Sequence, residues 1–332
     1  MTMIDARCVV IGGGTGSFSV LSGIKNRVSD ITALVSMADD GGSTGLLRDE
    51  LGVLPPGDVR QCLVALSDAP DEVRDLFNFR FEEGSLAGHS FGNLFLSAVE
   101  KMTSDFGEAV RMAGDVLHIQ GTVVPITLNN VRLGARWHDG TVVRGQDRMN
   151  LTHFISEKGR PDLFLEPTAN INPLAATAIR KADVIVIAPG DIYTSLGPLL
   201  IVDGVAEAFA TTKAKVVYVC NLMAKPGHTS SFTVADHAAE IERFAGGQPI
   251  IDHVLYNTAD PDPILFERYA REGEVPVPVD SDELAAAHYT VDGVPLIAQK
   301  AVAPHEADML AARRTFIRHD PSRLGAALAK LF

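Results

Sequence analysis

Cysteine is scarce in this sequence, positive charge is outweighed, and no apolar run is long. Cys8, Cys62 and Cys220 lie far apart, each inside an apolar stretch. With no CxxC pair and an odd count there is no complete disulfide framework, so the three read as reduced, buried side chains of a cytoplasmic protein. Lys and Arg total 29 against 42 Asp and Glu, a net charge of −13. That balance excludes a general basic surface for gripping nucleic acid. It leaves anionic ligands open, because backbone N–H groups hold phosphate whatever the net charge. No stretch reaches the ~18 apolar residues of a membrane span. Asp5 and Arg7 precede only the short run Cys8 to Ile11, so no signal peptide is expected and the reading is a soluble, intracellular protein with no membrane partner. HExxH and Cys/His metal sets are missing too. His118, His138, His153, His253, His288, His305 and His319 show no ligand spacing, which argues against zinc.

What is present is an ordinary globular composition, 46% hydrophobic and 21% charged, in 332 residues. That length suits two domains or one large α/β domain with a substantial core. Short β-rich runs (Cys8–Ile11, Ile31–Met37, Asp183–Ile187, Lys215–Val219 and Ile250–Tyr256) each end in glycine or asparagine. Runs apolar throughout suit strands buried on both faces of a parallel sheet. Helical patterns such as Val202–Thr211 and Val234–Phe244 lie between them. The expectation is a Rossmann-like, doubly wound α/β fold with a mostly parallel sheet, as one domain over residues 1–332. Residues 58–118 read as a helical insertion packed on that sheet. Residues 131–144 read as a hairpin turning at Asp139-Gly140.

Four polar, glycine-rich clusters stand out. In Gly12-Gly13-Gly14-Thr15-Gly16-Ser17 the backbone can approach a phosphate at a helix N-terminus. Asp39 follows Gly16 by 23 residues, near where a dinucleotide fold binds ribose hydroxyls. A tight strand–helix turn followed by a solvated acid is the plainer alternative. No Gly-Lys-Ser/Thr follows, so this is not a P-loop. The second cluster is Ala38-Asp39-Asp40-Gly41-Gly42-Ser43-Thr44-Gly45, with Pro55-Pro56-Gly57-Asp58-Val59-Arg60 close behind. Adjacent carboxylates call for a cation, a sugar hydroxyl or an arginine, and Mg²⁺ shared with a substrate phosphate is one arrangement. Asp58 alone could simply cap the helix that begins at Val59. In the third cluster, His89 in Gly88-His89-Ser90-Phe91-Gly92-Asn93 is either a phosphate donor or acid/base, or a surface residue beside a capping Ser90. The fourth, Pro189-Gly190-Asp191-Ile192-Tyr193-Thr194-Ser195, ends a central strand and should face the glycine loop across a crevice. Thr194, Ser195 and nearby backbone N–H groups would cradle a second phosphate, with Asn221 and Lys225 at the next strand end. No G-x-S-x-G elbow surrounds Ser195, which disfavours a hydrolase triad.

Together these segments, with Val124-Pro125-Ile126-Thr127 and Val219-Cys220-Asn221-Leu222-Met223, resemble the CofD-like superfamily. They are most similar to its YvcK-type branch, the gluconeogenesis factors. The resemblance spans nearly the whole chain. It implies a Rossmann-like core binding a nucleotide-containing ligand, UDP-N-acetylglucosamine above all, in a regulator of carbon metabolism, cell-wall synthesis and cell shape. The CofD branch instead implies a Mg²⁺-dependent transferase moving a 2-phospholactyl group onto a deazaflavin, with Asp39 and Asp40 holding the metal. Ligand contacts are expected at Gly13, Gly14, Thr15, Gly16, Asp39, Asp40, Gly42, Ser43, Arg60, His89, Asn93, Thr127, Gly190, Tyr193, Thr194, Ser195 and Asn221. Asn93 and Asn221 would fix base or sugar. A homo-oligomer is compatible with this reading. The chain departs from the branch's usual pattern at Asp191, Gln146, Lys225 and His228, which bears on the ligand rather than on the fold.

Overall fold

A computed structural model describes residues 3–152, 158–271, 273–298 and 317–332. His153 and His305 lie outside the described residues. Seven strands, β1 (Ile4–Ile11), β2 (Val28–Val35), β3 (Thr122–Pro125), β7 (Val184–Ile187), β8 (Lys215–Val219), β9 (His253–Asn257) and β10 (Thr290–Val294), form one sheet in the order β10-β9-β8-β7-β1-β2-β3. Every pairing in it is parallel. Alternation explains the two-faced burial. Val9 and Ile11 of β1 enter one apolar layer with Ile185 and Ile187, while Cys8 and Val10 enter the opposite layer with Val184 and Val186. Each such side chain, fully withdrawn from water, is worth about 1.5–3 kcal/mol. The three cysteines are free and buried.

From β1 the chain winds one way through β2 and β3, then returns on the other side through β7 to β10. The reversal leaves a crevice at the carboxyl ends of β1 and β7, where open α/β sheets place their ligands. Among the described residues six α-helices come before β3: α1 (Gly14–Ile24), α2 (Gly42–Leu51), α3 (Gly57–Leu66), α4 (Asp71–Asn78), α5 (Phe91–Thr103) and α6 (Phe106–Leu117). Leu63 and Leu66 of α3, Leu96 of α5 and Ala113 of α6 share an apolar layer with β1 and β2. The turn at Gly140 (φ +84°) joins β4 (Arg132–Arg136) to β5 (Val142–Arg144). β6 (Asp162–Glu166), a strand the sequence pattern did not reveal, pairs antiparallel with β4 and completes a small second sheet. The helix read from Val202 starts at Val205, after Gly204 takes φ +95°.

The last described helix packs on α1. The helix Pro321–Leu328 crosses α1 at paired glycines, where a Cβ on Gly325 would stand 2.1 Å from the Gly23 carbonyl oxygen. Just before it, Ala298 N–H donates to the Arg318 carbonyl and Asp320 N–H to the Leu296 carbonyl, which holds Ile317 to His319 beside the crevice. No helix among the described residues is long and apolar enough to cross a membrane.

Candidate functional site

The crevice holds a cavity of about 580 Å³, within the range of small-molecule sites. Three helices begin on it. α1 brings Gly13 to Gly16, α2 brings Gly41, Ser43 and Thr44, and α3 brings Gly57, Asp58 and Arg60. Their N-cap positions are Gly13, Gly41 and Pro56, and none receives a side-chain cap. Unpaired N–H groups and three positive helix ends therefore converge on one space. Contact distances explain the glycines. A Cβ at Gly16 would stand 1.7 Å from the Pro189 carbonyl oxygen, so only glycine lets α1 pack against the β7 loop. Gly14 and Gly42 take φ +60° and +49°, where glycine is least strained.

Asp58 is the main departure from expectation at the glycine loop. It is not an N-cap, since α3 already begins at Gly57. Its carboxylate lies over the loop instead, and a Cβ at Gly13 would meet Asp58 Oδ2 at 2.1 Å. Asp39 also lines the cavity. Burial pushes its carboxyl up, the Gly41 N–H and the Thr44 hydroxyl pull it back, and Asp40 adds to the rise. Its Oδ1 accepts from Gly41 N–H at 3.1 Å.

Asp40 turns away. Its oxygens accept from the backbone N–H of Asp147 at 2.8 Å and of Gln146 at 3.1 Å. That capping role explains its burial and leaves it off the cavity wall, so the expected Mg²⁺ pair of Asp39 and Asp40 is not assembled. Among the described residues no three His, Cys, Asp or Glu side chains cluster to hold a metal.

The β7 loop does line the cavity opposite the glycine loop, through Pro189, Gly190, Asp191, Thr194 and Ser195. Its backbone N–H groups do not form a phosphate cradle, however, because Asp191 takes them. Asp191 Oδ1 accepts from the N–H of Tyr193 and Thr194 at 3.0 and 2.8 Å. Its carbonyl oxygen accepts from Ser195 and Leu196. The departures at 191, 225 and 228 prove to be neighbours. Lys225 Nζ lies 2.6 Å from Asp191 Oδ2, and His228 Nδ1 lies 3.5 Å from it. Burial would raise the Asp191 carboxyl, but Lys225 and His228 outweigh it and hold it well below the usual range.

The remaining expected residues divide. Arg60, Asn93 and Asn221 line the cavity, yet the two amides are engaged within the protein. Asn221 pairs reciprocally with the Gly190 backbone at 2.8 and 2.9 Å. Asn93 bridges Arg60 and Ser43. His89 is buried behind Ser43, not on the surface, and Ser90 does cap α5. Tyr193 packs in the core against Phe244 and His228, and Thr127 bonds Asn129 in the turn after β3; neither reaches the cavity wall. Sequence reading missed Arg80, Glu274 and Ile317 to Arg318 as wall residues, and took His319 only as a non-ligand. No local pattern marks them, because they arrive through long-range packing. Burial lowers His319 to about 4.

Against this geometry, comparison with known proteins is consistent from end to end. The family model described as 2-phospho-L-lactate transferase CofD matches residues 8–297. The gluconeogenesis factor of Bacillus subtilis (strain 168) is 39% identical over 330 residues, 98% of each chain. That of Halalkalibacterium halodurans is 41% identical over 283 residues, 84% of this chain and 85% of its own. Among solved structures, a Bacillus halodurans protein described as a member of the upf0052 family superposes with a TM-score of 0.86 at 36% identity, covering 99% of both chains.

Proposed function

The chain belongs to the CofD family, among the gluconeogenesis factors, and from that premise we propose that its cavity binds a nucleotide sugar of the UDP-N-acetylglucosamine type. One observation carries this reading: three uncapped helix N-termini surround a single cavity at the sheet's switch point. Such ends favour the oxygens of a diphosphate. The acids facing them, Asp39 and Asp58, suit ribose hydroxyls or a hard cation such as Mg²⁺ carried in with the diphosphate. The protein then acts in the cytoplasm as a sensor, coupling nucleotide-sugar supply to carbon metabolism, cell-wall synthesis and cell shape. The ligand is held and released unchanged.

Thermal unfolding with and without UDP-N-acetylglucosamine, Mg²⁺ present throughout, tests this. At ~100 times its dissociation constant the ligand adds about 2.7 kcal/mol. A saturable rise in midpoint, with the nucleotide sugar recovered intact, is the expected result. No shift at millimolar ligand would refute the proposal. Turnover of a guanylated phospholactyl donor with a deazaflavin would instead assign the chain the transferase chemistry of its family's namesake.

A further inference from the structure

We infer that Ser43 faces the cavity as a hydrogen-bond acceptor, at the end of a chain that buried Arg60 begins two links away, and that it reads a hydroxyl of the ligand rather than a phosphate. The second half rests on the nucleotide-sugar reading above. The first half rests on the protein alone.

Arg60 has donors and no acceptor, so it can set the direction of a hydrogen-bond chain. Its Nε donates to Asn93 Oδ1 at 3.1 Å, and its Nη1 donates to Asn78 Oδ1. The Asn93 amide must therefore turn its oxygen to Arg60 and its NH₂ the other way. Gly92 allows the close approach, since a Cβ there would meet Arg60 Cδ at 2.7 Å. Asn93 Nδ2 in turn donates to Ser43 Oγ at 3.2 Å. A hydroxyl that accepts this bond has one hydrogen of its own to place, and His89 Nδ1 lies 3.0 Å away. On this proposal Ser43 is the donor to Nδ1, the arrangement in which the imidazole is neutral and carries its proton on Nε2.

All three side chains beyond Arg60 are more than nine-tenths buried: Ser43 6%, His89 7% and Asn93 4% exposed. Burial also favours the neutral ring, with Glu50 and Arg80 pulling in opposite directions. With its hydrogen on His89 and one lone pair on Asn93, Ser43 has a single lone pair left for the cavity it lines. A phosphate oxygen carries no hydrogen at neutral pH, and two acceptors would face each other. A sugar or ribose hydroxyl fits. The phosphates are left to the backbone N–H groups of α1, α2 and α3.

The tautomer is read from two-bond ¹H–¹⁵N spectra of histidine-labelled protein, with His89 assigned by its loss in His89→Gln. The expected pattern is an unprotonated Nδ1 and a protonated Nε2; the reverse pattern overturns the polarity. Asn93→Asp supplies a carboxylate that accepts from both Arg60 and Ser43, so His89 should switch its proton to Nδ1. An unchanged tautomer in a folded Asn93→Asp protein overturns it as well. Ser43→Ala and wild type are then titrated with UDP-N-acetylglucosamine and with inorganic pyrophosphate. The expected loss is ~10-fold for the nucleotide sugar and under ~2-fold for pyrophosphate, the cost of one unmatched hydroxyl. Equal losses overturn the hydroxyl assignment. If the wild type binds neither probe, the nucleotide-sugar reading fails and takes the hydroxyl assignment with it, while the tautomer result still decides the polarity.

Discussion

Helices that end on the cavity start at Gly13, Gly41 and Pro56 without a side-chain cap. Several other helices spend a polar side chain on the same position. Asp105, Asn172, Thr233, Asp280 and Asp320 each accept from the first turn of the helix they precede. Even α5, whose Asn93 touches the cavity, is capped by Ser90. Glycine at this position costs only a few tenths of a kcal/mol against a capping side chain, and three bare starts at one spot are a deficit that a bound anion would offset. Bare starts also occur away from the cavity, after Pro70 and Gly204, so what sets these three apart is that they meet at one space.

The most severe way to break the open set is to fill its tightest contact. Gly16→Ala places a methyl 1.7 Å from the Pro189 carbonyl oxygen, backbone against backbone, with no side chain able to yield. A stability loss of about 3 kcal/mol is expected in urea unfolding, with ligand binding lost as α1 moves. Wild-type stability in Gly16→Ala would show that α1 and the β7 loop are not rigidly coupled.

The cavity wall also carries a pH signature. Burial lowers His319 to about 4, while an unfolded histidine titrates near 6.5. Between these values the unfolded chain binds more protons than the folded one, so stability falls as pH drops from about 6.5 to 4. The loss attributable to this ring is about 3 kcal/mol. His319→Gln should flatten that part of the profile without changing stability at pH 8 by a comparable amount. A profile unchanged by the substitution would place the acid sensitivity elsewhere.

On the closed set, Thr233→Ala removes a complete capping box, in which Asp236 also reaches back to the Thr233 backbone. A loss of about 1 kcal/mol is expected, with nucleotide-sugar affinity unchanged. Altered affinity would mean that the two sets of helix starts are not independent.

Much of this contrast was legible in the sequence, and the reason is local. β1, β7 and β8 are short apolar runs whose strand character needs no distant partner, and the glycines at 12–16 and 41–42 announce turns by composition. The wall residues that went unread, Arg80, Glu274 and Ile317 to Arg318, come from separate parts of the chain and meet only through tertiary contacts, the last by way of backbone bonds to Leu296 and Ala298. The errors at Asp40, Asp58 and Thr194 share another cause. Sequence shows which groups can bond, but partner choice depends on geometry. Asp40 found two backbone N–H groups about a hundred residues away, and Asp191 consumed the donors that Thr194 was expected to offer. β6 was hidden for the same reason, since its alternation is weak until β4 lies beside it.

The finest test converts an open start into a closed one. Gly41 takes φ −88° and ψ 147°, a backbone any residue adopts, so Gly41→Ser can offer its hydroxyl to the first turn of α2. Serine exceeds glycine as a cap by only a few tenths of a kcal/mol, and that small gain is the expected change in unfolding free energy. The same hydroxyl occupies N–H groups assigned to the diphosphate, so nucleotide-sugar affinity should fall several-fold, ~1 kcal/mol for one hydrogen bond. Opposite signs in stability and affinity would show that the bare start of α2 is retained for the ligand at a cost to the fold. Gain without loss of affinity would remove α2 from the anion site and leave α1 and α3 to hold it.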